Sequence, residues 1–308
     1  MGCVLCPRNC NADRDKGKTG YCRMDSRIFA ARASLHMWEE PVISGENGSG
    51  TIFFTGCPLG CIFCQNHNIS IGQSGKEITI ERLVEIFFEL KEKGANNINL
   101  VTPTHYLLQI REALIRAEKE KLELPVIYNT GGYEKVESLK LLDGLVDIYL
   151  PDLKYMSSDI STRYSNAPDY FTAASAAIKE MFRQTGTPHF YREGNFAEKA
   201  EYNEEENILI EKGVIIRHLV LPKGVEDSKN IVRYVHDTYG DKVFISIMNQ
   251  YTPSGNIAGY PELLRKVTKK EYEEVVDYAI DIGIERGFIQ EGDTAEESFI
   301  PEFDNEGV

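Results

Sequence analysis

The sequence lacks any run of eighteen apolar residues, which excludes a membrane-crossing helix. Its opening, Met1-Gly-Cys-Val-Leu-Cys-Pro-Arg8, has neither the basic nor the apolar region of an export signal. Positive charge is scarce: 34 Lys and Arg stand against 48 Asp and Glu, a net charge of −14. No Lys/Arg patch offsets that deficit, which argues against nonspecific nucleic-acid binding, because such binding needs cations to displace counterions. No cysteine occurs after residue 64 and no internal repeat is visible. Without an export signal, the expectation is a cytoplasmic, reducing setting in which the cysteines are metal ligands rather than disulfides.

What is present begins with size. A chain of 308 residues, 42% hydrophobic, has material for one large α/β domain with an appendage, or for two modest domains. Acidic Glu204 to Glu206 and the tail from Pro301 to Val308 read as solvated surface.

The seven cysteines fall into two groups. Cys3, Cys6, Cys10 and Cys22 are spaced C-x2-C-x3-C-x11-C around a polar, glycine-bearing loop that cannot form a core without a staple. Four thiolates close a tetrahedral site. Residues 1–45 are therefore expected to form a small cysteine-rich metal knuckle, and residues 46–308 the main domain. Cys57, Cys61 and Cys64 are spaced C-x3-C-x2-C, which random placement gives in about 0.4% of such chains. Three thiolates hold three corners of a cubane iron–sulfur cluster and leave the fourth iron open. Soft sulfur ligands favour iron–sulfur or zinc over a hard metal.

From residue 50 the pattern alternates. Strands are predicted at 50–55, 97–101, 125–128, 146–150, 214–221 and 243–248. Helices are predicted at 79–94, 104–121, 134–142, 168–184, 227–239 and 269–284, two of them with a glycine stop. About six β-then-α units imply a parallel sheet with right-handed crossovers, curled into an incomplete barrel. Segment 187–212 breaks the rhythm, and its runs 189–193 and 207–211 are predicted to pair as a hairpin outside the barrel.

Such folds place their sites at the C-terminal ends of strands. Polar segments occupy those ends: the cysteine loop, Thr102 to His105, Asn129 to Gly132, Pro151 to Lys154, Arg217-His218, and Asn249 to Thr252. Each alone is an ordinary turn former or helix cap. Six of them on one rim beside a cysteine loop point to a site. Among the histidines, His36, His67 and His189 read as packed or capped, and His105 and His218 rank first as ligands or bases because they sit on the rim.

The cysteine loop, with Phe63 in the aromatic position of C-x3-C-x-aromatic-C, resembles the signature of the radical S-adenosylmethionine (SAM) superfamily. Further motifs resemble glycyl radical enzyme activases, and within them a branch of pyruvate formate-lyase activase homologues. These are Cys6-Pro-Arg-Asn-Cys10, Gly20-Tyr-Cys22, Trp38-Glu-Glu-Pro-Val-Ile-Ser-Gly45, Arg217-His-Leu-Val-Leu-Pro222, Asn249-Gln-Tyr-Thr-Pro253 and Phe299-Ile-Pro-Glu-Phe303. The resemblance implies an α/β fold, a partial (β/α)6 barrel of the radical SAM type with the small cysteine-rich segment in front. It implies a 4Fe-4S cluster on Cys57, Cys61 and Cys64 whose open iron chelates SAM. One electron, from a flavodoxin or ferredoxin-type donor, then yields methionine and a 5′-deoxyadenosyl radical. The implied substrate is a glycine Cα–H of a partner glycyl radical enzyme.

By the same resemblance Phe63 lies along the adenine, and Asn129, Thr130, Asp152 and Lys154 contact SAM, with Lys154 on its carboxylate. Asp152 and Thr130 are expected to hold a monovalent cation. Arg217 is a second contact to SAM or substrate, and Gln250 and Tyr251 fall near the ribose. The Gly-Gly-Glu that binds the SAM ammonium is absent, and Thr102-Pro-Thr104 stands in its place. The hydroxyls of Thr102 and Thr104 are the expected substitutes. The first cysteine group lacks a double-ferredoxin pattern, so it is expected to carry one cluster or one zinc. Two other readings stay open: radical SAM chemistry on another peptide or small molecule, and a non-enzymatic zinc-binding interaction protein.

Overall fold

Short apolar runs alternate with amphipathic ones along the chain, and each run takes the geometry its period requires. A computed structural model describes residues 2–203, 206–255, 257–290 and 301–308. Glu204, Glu205, Phe299 and Ile300, which belong to segments singled out above, lie outside the described residues. The strands are β1 (Ile28–His36), β2 (Ser49–Phe54), β3 (Lys76–Ile78), β4 (Ile98–Val101), β5 (Val126–Thr130), β6 (Ile148–Pro151), β7 (His189–Arg192), β8 (Asn195–Ala200), β9 (Ile208–Leu219), β10 (Phe244–Met248) and β11 (Gly287–Ile289). All residues of β2, β4, β5, β6 and β10 are buried, as in parallel strands covered on both faces.

The order across the main sheet is β11-β10-β9-β6-β5-β4-β2-β1-β3. From β2 to β11 every neighbour is parallel, and β1 is antiparallel to both β2 and β3. Among the described residues the two end strands do not pair with each other, so the barrel stays open on one side. This is the α/β partial barrel expected, and all six predicted parallel strands are in it. The helices Ile80–Glu92, Leu107–Lys119, Tyr170–Thr185, Val225–Tyr239 and Lys269–Asp281 cover the outside. Helix Ile80–Glu92 starts where the Thr79 side chain accepts from the Arg82 amide, and it buries Leu83, Val84, Ile86, Phe87 and Leu90.

Several boundaries differ from expectation, each for a local reason. The boundary drawn at residue 45 falls after β1, which belongs to the main sheet through its pairing with β2. The predicted helix 134–142 is two short turns, Val136–Leu139 and Lys140–Leu142. The predicted hairpin is present, with Phe190 opposite Ile210 and Arg192 opposite Ile208. Its second arm does not stop, however: Ile208 continues into the barrel as one twelve-residue strand. β8 adds a third, unexpected strand to that flap.

Helix Ile80–Glu92 is held by its buried face, and Phe87 is fully buried in it. Phe87→Ala is expected to lower unfolding free energy by about 3–5 kcal/mol, the cost of lost burial plus a cavity. Urea unfolding of the two chains checks this.

Candidate functional site

The C-terminal ends of β2, β4, β5, β6, β9 and β10 converge on a cavity of about 210 Å³. Cys57, Cys61 and Cys64 all line it. Their loop leaves β2 through Thr55, whose hydroxyl donates to the Ser74 carbonyl at 2.8 Å. Arg8 of the N-terminal segment clamps the loop from outside. Its Nε donates to the Pro58 carbonyl at 2.8 Å and its Nη2 to the Leu59 carbonyl at 3.0 Å and the Ser165 carbonyl at 2.8 Å. The guanidinium lies 3.8 Å over the Tyr21 ring. Ser165 Oγ also donates to Cys61 Sγ at 3.1 Å, with the Tyr155 hydroxyl 2.8 Å from Ser165 Oγ. Hydrogen bonds to a ligand sulfur raise the potential of a cluster bound to it.

Burial, aided by the neighbouring Cys61, pushes the Cys57 thiol up to about 11. Burial and the other two cysteines push Cys64 to about 12, opposed by Lys154. Thiols so placed ionise only when a cation or cationic cluster takes the charge. In a cubane each cysteine takes its own iron, so the three need only face one cavity. The donor set therefore fits a four-iron cluster with one iron lacking a protein ligand. Among the described residues no three His, Cys, Asp or Glu side chains converge tightly enough to chelate a single ion.

That last observation includes Cys3, Cys6, Cys10 and Cys22. They share one loop region, and a Cβ on Gly20 would meet Cys10 Sγ at 3.1 Å and Cys22 Sγ at 3.5 Å. Cys10 and Cys22 thus lie side by side, and, as for the cubane, the lack of a tight single-ion group does not bear on a cluster at these four thiols.

Opposite the cysteines lies a buried charge network. Arg217 Nε donates to Asp152 Oδ1 at 2.9 Å, Nη1 to Glu39 Oε2 at 3.2 Å, and Nη2 to Asn129 Oδ1 at 2.6 Å. Lys154 Nζ holds the other Asp152 oxygen at 2.6 Å. Lys154 and Arg217 keep the Asp152 carboxyl below its usual range against the burial that would raise it. Asp152 in turn keeps Lys154 charged despite burial. Gly132 lets the backbone after β5 approach β6, since a Cβ there would sit 2.2 Å from the Asp152 carbonyl.

Of the residues expected at a SAM site, Phe63, Thr102, Asn129, Thr130, Asp152, Lys154, Arg217 and Gln250 all line this cavity. Phe63 meets Tyr155, Tyr164 and Tyr251 edge to face. Thr102 is held at φ +57°, a left-handed conformation that costs a threonine energy and turns the chain at the end of β4.

Other expectations need correction. Thr104 does not line the cavity; it is buried and its hydroxyl donates to Glu134. A cation between Asp152 and Thr130 would compete for the Asp152 carboxylate with Lys154 and Arg217, while the Thr130 hydroxyl is turned to donate to Glu134. His105 and His218 are packed residues. His105 Nε2 meets the Thr55 carbonyl at 2.7 Å, and both nitrogens of His218 are occupied by the Leu153 carbonyl and Ser228 Oγ. Burial lowers them to about 3 and about 4, so both are neutral. The histidine that does face the cavity is His36, together with Trp38 and Glu39, all three unassigned by sequence. The Trp38-Glu-Glu-Pro41 run was the available signal.

Residues 51–191 match the model of the Radical SAM superfamily. An uncharacterized protein of Methanocaldococcus jannaschii is 28% identical over 288 residues, spanning 90% of this chain and 74% of that one. Among solved structures, SuiB of Streptococcus suis bound to its precursor peptide SuiA aligns with TM-score 0.50 and 17% identity over 78% of this chain. The alignment covers 47% of SuiB, so this chain spans about half of that protein's length. Methylornithine synthase (PylB) aligns with TM-score 0.49 and 14% identity, over 73% of this chain and 59% of that one. The fold is that of the radical SAM partial barrel.

Sequence reading also missed Glu134, which lies beneath β4 and β5. It accepts from Thr104 and Thr130 through one oxygen, and its other oxygen has no partner. Burial pushes it from 4.5 to about 7. Between those values the folded chain holds a proton that the unfolded chain has released, so this group's contribution to stability falls as pH rises. Glu134→Gln is expected to remove that dependence. Relative to the variant, the unsubstituted chain should lose about 2–3 kcal/mol between pH 4.5 and pH 8, read from urea midpoints.

Proposed function

We propose that this chain, which carries a radical SAM domain over residues 51–191, is an enzyme that reductively cleaves SAM and abstracts a hydrogen atom from a bound substrate. The observation that carries the reading is the meeting of three cysteines and the Asp152–Lys154–Arg217 network around one strand-end cavity. A 4Fe-4S cluster on Cys57, Cys61 and Cys64 supplies, when bound, the electron that splits SAM into methionine and a 5′-deoxyadenosyl radical.

The chain's residues supply position and charge. Lys154 is the ammonium for the SAM carboxylate. Arg217 shares the Asp152 charge, so Asp152 stays ionised when Lys154 turns to the ligand. Asn129 and Gln250 offer amide groups to the ribose side, and Phe63 an aromatic edge to the adenine. Thr102, with its backbone turned at φ +57°, is the nearest substitute for the missing ammonium-binding motif. Apolar Leu59, Phe53, Val101 and Met248 keep water from the same space.

The substrate reading has two forms. Motifs such as Arg217-His-Leu-Val-Leu-Pro222 support a glycyl radical enzyme as partner. SuiB, of similar fold, holds a precursor peptide, which supports a different peptide with equal force; a small molecule is the remaining form of that second reading. The open side of the barrel admits an extended segment in either case.

Anaerobic reconstitution with iron and sulfide is expected to give brown protein with about four irons on this site, and reduction with SAM present to release 5′-deoxyadenosine. Cys61→Ala should lose both. Lys154→Ala should keep the iron and weaken SAM binding about tenfold, near 1.4 kcal/mol, by equilibrium dialysis. A colourless zinc protein that leaves SAM intact overturns the reading. A glycyl EPR doublet on incubation with a glycyl radical enzyme selects the first substrate form; 5′-deoxyadenosine formed without a doublet on another substrate selects the second.

A further inference from the structure

The acidic stretch 301–308, expected to be solvated surface, lies instead along β1. Its side chains alternate: Glu302 and Asp304 are exposed, while Pro301 and Phe303 are half-buried. β3 pairs with β1 only as far as Ala30, and the tail takes up the edge beyond it. The Asn305 amide donates to the Ala31 carbonyl at 3.0 Å, and the Ala33 amide to the Glu306 carbonyl at 2.8 Å. Gly307, at φ +74°, permits this approach, since a Cβ there would run into the Ala33 carbonyl. Arg32 fastens the tail from outside. Its Nη1 donates to the Glu302 carbonyl at 2.9 Å and to Asp304 Oδ1 at 3.0 Å, and its Nη2 to the Glu306 carboxylate.

Capping of a strand edge explains those backbone bonds. It does not explain the inward side chains. Pro301 lines the cavity that Cys57, Cys61 and Cys64 share. The Phe303 ring meets Phe53 edge to face at 5.4 Å and packs on the small cluster of Ala31, Phe53, Ile69 and Val101. Phe53 and Val101 line the same cavity, and Val101 leads directly into Thr102. The backbone makes a further link. The Ser74 hydroxyl donates to the Phe303 carbonyl at 2.9 Å, while the Ser74 carbonyl accepts from Thr55, where the cysteine loop leaves β2. The acidic partners of Arg32 are half exposed, so their ion pairs contribute little to stability. Their effect is register: they hold Pro301 and Phe303 against the cavity.

We propose that residues 301–308 form a strap that completes the wall of the SAM cavity, with Phe303 a positioning residue acting through Phe53 and Arg32 its anchor. The inference rests on the reading of that cavity as the SAM site. It adds a segment outside residues 51–191, where the family model matches. Lys154 attracts a carboxylate more strongly where water is kept out, and Pro301 and the Phe303–Phe53 pair keep it out on this side. Phe303 also backs Val101, and so fixes the point from which Thr102 turns toward the ligand. A docked strap therefore favours bound SAM, and by linkage bound SAM favours a docked strap.

The test uses the full chain, reconstituted with iron and sulfide without oxygen. By equilibrium dialysis Phe303→Ala is expected to bind SAM about tenfold more weakly at unchanged iron content, and Phe303→Leu, which keeps an apolar backing, to bind as the unsubstituted chain does. Arg32→Gln is expected to weaken SAM in the same direction. A second readout needs no variant: in the unsubstituted chain SAM is expected to slow hydrogen exchange at the Ala33 and Asn305 amides about tenfold, with no such slowing in the outlying β8. A tail that only caps β1 gives unchanged SAM affinity in Phe303→Ala, or exchange that SAM leaves alone or slows equally in β8; any of these overturns the proposal. If Phe303→Ala loses its iron, the exchange measurement decides alone. An iron-loaded unsubstituted chain that does not bind SAM sinks the reading of the cavity, whereas SAM bound alike with and without the Phe303 ring sinks only the strap.

Discussion

The mouth of this barrel is organised by one buried guanidinium. Arg217 arises at the end of β9 and reaches Asp152 after β6, Asn129 at the end of β5, and Glu39 from the segment before β2. Four pieces of chain distant in sequence are thereby fixed around one charge. A pair buried this deeply is weak evidence of net stability, because desolvation offsets attraction. Its effect is on geometry: removing the cation would leave two carboxylates facing each other out of water, so the strand ends have one low-energy arrangement. Lys154 depends on that arrangement, since its charge is kept by Asp152.

The cysteine loop depends on a different clamp. Its backbone carbonyls at Pro58 and Leu59 are bound by Arg8, which also holds Ser165 and stacks on Tyr21. The cysteine-rich segment thus behaves as a brace on the loop, whatever its four thiols bind. Ser165, brought to the same place, donates to Cys61. One contact set positions the loop and adjusts the electronic character of its sulfur.

Much of this was legible in the sequence where a local period or spacing carried the message. The six parallel strands are continuous apolar runs separated by helical ones, and the three-cysteine spacing marks its own loop. What was not legible depends on tertiary pairing. β1 and β3 join the sheet antiparallel from segments flanking the cysteines, and β11 has three residues, too few to show a period. Strand β9 runs on through Gly213, between the predicted runs 207–211 and 214–221; Gly213 approaches Pro188 so closely that a Cβ would meet it at 2.9 Å. At the site, Thr104 and Thr130 look alike as rim hydroxyls, and only the position of Glu134 shows that both hydroxyls point toward it. Glu39 and Glu40 are adjacent and identical, yet it is Glu39 that accepts from Asn99 and Arg217.

An unclosed barrel leaves raw backbone at its two margins, the usual template for one molecule to stick to the next. Here the margins are cut short. β3 is Lys-Glu-Ile and β11 is Gly-Phe-Ile, three residues each, and the outlying β8 carries Glu198 and Lys199. Strands that brief, or that charged, give a neighbouring chain too little ladder to hold. The open side of the barrel is therefore bordered, among the described residues, by edges that offer little to a neighbouring strand.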